Sequence, residues 1–149
     1  MRNRKKSIIS RIFEFDMNAV LRSILFIAVI CALIFIACSF GKKASYKNVG
    51  TDEFERLIAD KAVQILDSRS KAEYDEGHIE GAILIDVNDS SFKAKAGATL
   101  SKDKPVAVYC RSGRRSRVAA DILSKEGYKV TNLDGGIISW NAAGKPTVR

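Results

Sequence analysis

The sequence predicts an α/β domain with a central parallel sheet flanked by helices on both faces. Short apolar segments alternate with helical patterns from residue 49 to the end of the chain, and most of these segments are apolar on both faces. Strands buried on both sides are typical of parallel sheets covered by helices. A chain of 149 residues has room for one such domain and a short appendage.

Four segments have the composition of buried strands. They are residues 62–67 (AVQILD), 82–87 (AILIDV), 105–109 (PVAVY) and 129–133 (KVTNL). The polar stretch between the second and third segments, residues 88–97, has no periodicity that predicts its structure.

Helical patterns separate these strands. Thr51 is suited to cap a helix over 52–59, whose first turn is acidic. Ser70 and Glu73 have the spacing of a capping box, which opens a short helix that ends at Gly77. Two further helices are predicted over 115–126, with an apolar stripe of Val118, Ala119, Ile122 and Leu123, and over 137–143.

The first 41 residues differ from the rest. Residues 1–22 hold six basic and two acidic side chains, and residues 23–41 hold no charge. The run 24–38 (ILFIAVICALIFIAC) is apolar throughout, so a helix there lacks the polar face of a soluble-domain helix. We therefore predict a basic leader and hydrophobic helix over 1–41, a tether over 42–48 and a globular domain over 49–149.

Two interpretations of the apolar run remain open. Residues 35–38 (FIAC) resemble the lipobox of bacterial lipoproteins, which makes Cys38 a lipidation site. The run is also consistent with an uncleaved membrane anchor, although it is short for a spanning helix. Either Met1 or Met17 is a plausible start. Because the basic flank precedes the run, both interpretations place the domain on the extracytoplasmic (periplasmic) side of the cell envelope, attached to the membrane.

Charge in the globular part argues against nucleic-acid binding. Residues 42–149 hold 19 basic and 15 acidic side chains, which are interspersed along the chain. A nucleic-acid surface would need a basic stripe with interleaved aromatic residues, and the sequence has none.

Cys110 is the only thiol of the predicted domain, since Cys31 and Cys38 lie in the apolar run. An internal disulfide and a CxxC redox or metal site are therefore excluded, and we expect neither a metal nor a cofactor. Cys110 follows the strand 105–109 and precedes the helix 115–126, at the sheet edge where α/β domains bind ligands.

The loop after Cys110 is suited to holding an anion. Gly113 allows a tight turn, and successive backbone amides in such a turn form an anion nest at the start of the next helix. Arginines add positive charge, which favours the reactive thiolate. The predicted cradle consists of Arg111, Ser112, Gly113, Arg114, Arg115 and Ser116.

Three motifs give the chain a family resemblance. Residues 66–82 (LDSR…EY..GHIEGA), 110–116 (CRSGRRS) and 133–136 (LDGG, followed by Trp140) lie in the order and spacing of rhodanese-like sulfurtransferases. The resemblance covers residues 46–148 and implies that Cys110 carries sulfur as a persulfide. It also implies that Asp67 and Arg69 support the loop from a neighbouring strand end.

The resemblance further implies the reactants and the role of two conspicuous residues. The sulfur donor would be a small sulfur-containing anion such as thiosulfate, and the acceptor a thiol, cyanide or a thioredoxin-like protein. Two-domain thiosulfate sulfurtransferases carry an arginine at the place of Glu73, so thiosulfate is not established as the physiological donor. His78 and Trp140 are expected to be structural.

Two other functions remain open. The domain could carry a persulfide to one partner with little free turnover. A Cdc25-like phosphatase or an arsenate reductase would need an arginine after five intervening residues. From Cys110 that place is Ser116, and Arg115 comes one residue too early.

Overall fold

The computed structural model describes residues 19–32 and 45–149. The chain divides into two compact units, Met1–Gly41 and Lys42–Arg149. In the first unit residues 19–32 are helical (α1) and exposed to solvent. In the described part of the chain, no helix combines the length and apolar character needed to span a membrane. The rest of the predicted apolar run, including Cys38, lies outside the described residues.

The second unit contains five strands and five helices in its described part. They are β1 (Lys47–Val49), α2 (Thr51–Ile58), β2 (Gln64–Asp67), α3 (Lys71–Glu76), β3 (Ile83–Leu84), α4 (Phe92–Thr99), β4 (Val106–Tyr109), α5 (Arg114–Lys125), β5 (Val130–Leu133) and α6 (Gly136–Ala142). The strands form one parallel sheet in the order β1-β5-β4-β2-β3.

The predicted α/β class with a central parallel sheet is confirmed. Side chains alternate across β4, where Val106 and Val108 join one apolar cluster and Ala107 and Tyr109 join the other. Helices α4 and α5 supply the first cluster, and α2 and α6 supply the second. Because the sheet is covered on both faces, ligands reach it most readily at the strand ends.

Several element boundaries differ from the sequence prediction. Gly50, not Thr51, is the N-cap of α2, and no side chain caps that helix. β1 pairs with β5 and covers the last two residues of the predicted tether 42–48. The predicted strand over 82–87 contributes only Ile83–Leu84 to the sheet.

Two differences concern helices. Helix α4 (Phe92–Thr99) begins within the unassigned polar stretch, residues 88–97, and follows a turn where the Asp89 carboxylate accepts from the Ser91 amide at 2.8 Å. In α5, Val118 is 53% exposed, whereas Ala120 is buried with Ala119 and Leu123. The buried face is therefore rotated from the predicted stripe. The capping box at Ser70 and Glu73 is confirmed.

Candidate active site

Cys110 lies at the carboxyl end of β4, the central strand of the sheet. Its side chain is almost fully buried. Gly113, three residues later, is the N-cap of α5 and has a φ of +89°, which favours glycine. A Cβ at Gly113 would also stand 3.2 Å from the Gly135 amide nitrogen. The turn that encloses Cys110 therefore depends on glycine.

Backbone amides converge on the Cys110 sulfur. The Gly113 amide donates to Sγ at 3.1 Å. Burial raises the pKa of the thiol, but hydrogen bonds from the Ser116 side chain and amide and from the Ser112 and Gly113 amides outweigh it, so the pKa lies below its ordinary value. The Ser116 hydroxyl also donates to the Gly113 carbonyl, at 3.2 Å.

The loop arginines fall into two groups. Arg115 forms a double hydrogen bond with Glu73, at 2.8 and 2.5 Å, and Arg117 pairs with Asp134 at the surface. Arg111 and Arg114 are exposed and form no ion pair within the described residues. The free positive charge of the loop therefore comes from two arginines rather than four.

Glu73 connects the loop to α3. Its carboxylate accepts from Arg115 and also from the Ser70 amide and hydroxyl, at 3.2 and 2.9 Å. The hydrogen bond from Arg115 is the largest cause that lowers the pKa of Glu73, to about 2. Glu73 is therefore ionised at neutral pH, and its negative charge is matched by the guanidinium of Arg115.

Two clefts open beside the loop. One, of about 370 Å³, is lined by Glu73 and by residues 111, 112, 114 and 115 of the loop. The other, of about 530 Å³, shares Glu73 and Arg111 and extends along α6 past Arg69. Arg111 and Glu73 thus line both clefts.

Asp67 and Arg69 form a buried ion pair at the end of β2. Arg69 donates to both Asp67 oxygens, at 2.6 to 3.0 Å, and to the Gly77 carbonyl at 2.8 Å. Its guanidinium lies 5.6 Å from the centre of the Tyr109 ring. In the described structure the pair makes no hydrogen bond to residues 110–116, so any support of the loop passes through Tyr109.

Ser68 is a residue that sequence reasoning missed. Its hydroxyl donates to the Tyr109 carbonyl at 2.8 Å, and its amide donates to the same oxygen at 3.0 Å. That carbonyl belongs to the peptide that leads into Cys110. The sequence offered one indication of this role: Ser68 lies between Asp67 and Arg69, at the end of a strand that pairs with β4.

His78 and Trp140 have structural contacts, as expected. The His78 ring stacks on Tyr74 at 3.6 Å between centroids, and its backbone pairs with Val148. Trp140 packs edge-on against Phe54 in the core, and its Nε1 donates to the Pro146 carbonyl.

The fold and this loop define a small α/β domain that presents one cysteine in an anion cradle. The Rhodanese-like domain family matches residues 50–143, and the chain belongs to that family. It is 33% identical over 102 residues to the thiosulfate sulfurtransferase GlpE of Shewanella oneidensis, covering 67% of this chain and 97% of that protein.

A second relative and a solved structure show the same similarity to rhodanese-like proteins. A sulfurtransferase of Allochromatium vinosum is 37% identical over 95 residues, which cover 63% of this chain and 86% of that protein. The crystal structure of a rhodanese-related protein from Thermoplasma volcanium superposes with a TM-score of 0.63 at 34% identity, over 69% of this chain and 98% of the other.

Proposed function

We propose that this protein is a sulfurtransferase in which Cys110 accepts a sulfane sulfur as a persulfide and passes it to a thiophilic acceptor. The observation that carries the proposal is the convergence of loop amides on the Cys110 sulfur, which lowers the pKa of a buried thiol. The thiolate is the nucleophilic form of cysteine. The same donors suit the terminal sulfur of a persulfide, which is anionic at neutral pH.

The reaction takes two displacements. The Cys110 thiolate attacks the sulfane sulfur of the donor, a new S–S bond forms, and the donor's S–S bond breaks with its electron pair leaving on sulfite or a thiolate. An acceptor thiolate or cyanide then attacks the outer sulfur and releases Cys110. Neither displacement requires a general base, which agrees with the structural role of His78.

The charges around the clefts favour a small anionic donor. Arg111 and Arg114 supply unpaired positive charge at the cleft over the loop, whereas the charge of Glu73 in its wall is matched by that of Arg115. Thiosulfate and low-molecular-weight persulfides both satisfy this requirement. Ser116 stands where a phosphatase loop needs its arginine, and Arg115, one residue earlier, is bound to Glu73, which disfavours the phosphatase alternative.

Steady-state turnover tests the proposal and separates an enzyme from a carrier. The full chain is assayed with thiosulfate and cyanide, and with thiosulfate and a dithiol. We expect turnover for the wild type and for Cys31→Ser, a thiol in the exposed helix α1, and none for Cys110→Ser. Activity that survives in Cys110→Ser would disprove the role of Cys110. A wild type that loads sulfur without turnover would indicate a dedicated carrier.

We further propose that the N-terminal segment holds the domain on the extracytoplasmic side of the membrane. The supports are the uncharged run behind a basic flank and the exposed apolar side chains of α1, such as Leu25 and Phe26. Lipidation at Cys38 is one form of the anchor and an uncleaved apolar helix is the other. A thioredoxin-like protein in that compartment is then a suitable acceptor.

A further inference from the structure

The first turn of α6 lies against the Cys110 loop. The Ile137 amide donates to the Cys110 carbonyl at 2.8 Å, and the Ile138 amide donates to the Arg111 carbonyl at 3.1 Å. Amides in the first turn of a helix have no partner within that helix. Here the two carbonyls that follow β4 satisfy them, so the helix end and the loop hold each other in place.

Gly136 makes this contact possible. A Cβ at position 136 would overlap the Cys110 carbonyl oxygen and stand 2.7 Å from the Arg111 carbonyl carbon. Both are backbone atoms, which cannot rotate aside as the end of a side chain can. Gly136 also has a φ of +60°, a conformation that favours glycine. Any other residue would therefore push the loop away from α6.

Peptide planarity carries this contact to the thiol. In a trans peptide the C=O of one residue and the N–H of the next point in opposite directions. The described residues contain no cis peptide. The Arg111 carbonyl, held by Ile138, therefore turns the Ser112 amide away from α6. That amide and the following one, of Gly113, are donors to the Cys110 sulfur.

We propose that Gly136 is a positioning residue for Cys110. Its missing side chain lets the first turn of α6 hold the Cys110 and Arg111 carbonyls, and these in turn keep the loop amides directed at Sγ. The inference rests on the proposed function in that Cys110 must be the nucleophile. Gly136 acts on the thiol only through the loop backbone.

Gly136→Ala and Gly144→Ala form a matched pair for the test. Gly144, at the other end of α6, has a similar φ of +68°, but a Cβ there would meet nothing within 4 Å. Both variants thus place alanine at a similar positive φ, and only Gly136→Ala meets the atoms of the loop. The measurement is the pH dependence of alkylation of Cys110 in the full chain, followed on the Cys110 peptide by mass spectrometry.

The expected result is a raised thiol pKa in Gly136→Ala and a wild-type profile in Gly144→Ala. A rise of about one unit slows alkylation roughly tenfold at a pH below both pKa values. A wild-type profile in folded Gly136→Ala would overturn the proposal. Alkylation does not require sulfur transfer, so a shifted profile in a protein that never loads sulfur would defeat the proposed function alone.

A second pair covers the case in which Gly136→Ala does not fold. Ile138 is 53% exposed, so Ile138→Ala removes little packing and keeps the amide that binds the Arg111 carbonyl. Ile138→Pro removes that amide hydrogen, which has no hydrogen-bond partner within the helix. We expect the raised pKa in Ile138→Pro only. If Ile138→Pro keeps the wild-type profile, the proposal is wrong. It is also wrong if Gly136→Ala and Ile138→Pro both unfold while Gly144→Ala and Ile138→Ala fold, because the contact then serves folding.

Discussion

At the scale of single residues, the environment of Cys110 balances two opposing effects. Burial at the end of β4 disfavours a charged sulfur, whereas the amides of the turn and the Ser116 hydroxyl favour it. The favourable contacts prevail, so the thiol ionises more readily than a free cysteine. Three of the four favourable contacts come from backbone amides, so the path of the loop backbone is expected to affect the thiol.

Arg111 is the side chain with the clearest expected effect on donor binding. It borders both clefts and has no carboxylate partner among the described residues. Loss of a charge-assisted contact costs about 1.5–3 kcal/mol, and for an exposed side chain we expect the lower end, or roughly a tenfold slower reaction with thiosulfate in Arg111→Ala. The measurement is the rate at which thiosulfate loads sulfur onto Cys110 at low ionic strength, compared between Arg111→Ala and the wild type.

Arg111→Lys is the control, because it keeps the charge and should keep most of the rate. The defect of Arg111→Ala should shrink as salt is added, since screening weakens the attraction in the wild type. Wild-type loading by Arg111→Ala at low salt would show that Arg111 is a solvated surface residue.

Much of this site could be predicted from the sequence, but the pairing of its arginines could not. The position of Cys110 at a strand end and the glycine turn follow from local patterns. The partner of Arg115 depends on where α3 lies relative to α5, 42 residues apart in the chain. Ser68 was missed for the same reason, since its contact joins two neighbouring strands.

At the scale of elements, the Glu73–Arg115 pair joins the start of α3 to the first turn of α5. Each side chain is about one fifth exposed, with exposed fractions of 23% and 21%. A bidentate, largely buried pair of this kind contributes more than an ordinary surface ion pair. It fixes the helix that carries the anion cradle to the helix that begins after β2.

The pair should make stability depend on pH. Its contribution is full above the ordinary glutamate pKa of 4.5 and is lost as pH falls toward the folded pKa of about 2. We therefore expect Glu73→Gln to lower the free energy of unfolding by about 1 kcal/mol at pH 7, allowing for solvent screening, and by less near pH 2. Urea unfolding followed by the fluorescence of the single tryptophan, Trp140, measures it.

Asp75→Asn is the matched control on the same helix, because Asp75 pairs with Lys71 at the exposed surface. It should change stability by only a few tenths of a kcal/mol. An equal loss in Glu73→Gln at both pH values would contradict the account of the pair.

The elements themselves show where sequence patterns suffice and where tertiary pairing decides. The buried strands β2 and β4 and the capped helix α3 have strong local signals, and they were predicted nearly to the residue. β1 is a three-residue edge strand, visible only through its pairing with β5. Helix α4 has almost no apolar periodicity and is held by two buried residues, Phe92 and Ala96.

At the scale of the whole molecule, the proposed attachment of the domain to the cell envelope is open to test. Cys38→Ala distinguishes the two proposed anchors. If Cys38 is acylated, the substitution removes the thiol that carries the lipid and should abolish lipid labelling and cleavage of the leader. Several acyl chains on one cysteine anchor a protein firmly, at about 0.8 kcal/mol per buried CH₂. If the anchor is an uncleaved helix, Cys38→Ala should leave the size and the membrane attachment of the protein unchanged.

Protease added to spheroplasts tests the side of the membrane independently of the anchor. We expect the domain to be digested without lysis. Complete protection until the cells are lysed would place it in the cytoplasm and contradict the proposed location.

Intact mass of the full chain after incubation with thiosulfate or a polysulfide tests the central claim most directly. We predict that the wild type gains the mass of one sulfur atom, that the gain maps to the Cys110 peptide, and that a thiol reductant reverses it. Cys110→Ser should gain none. A wild type that stays unloaded across several donors, or a sulfur found on Cys110→Ser, would contradict the account.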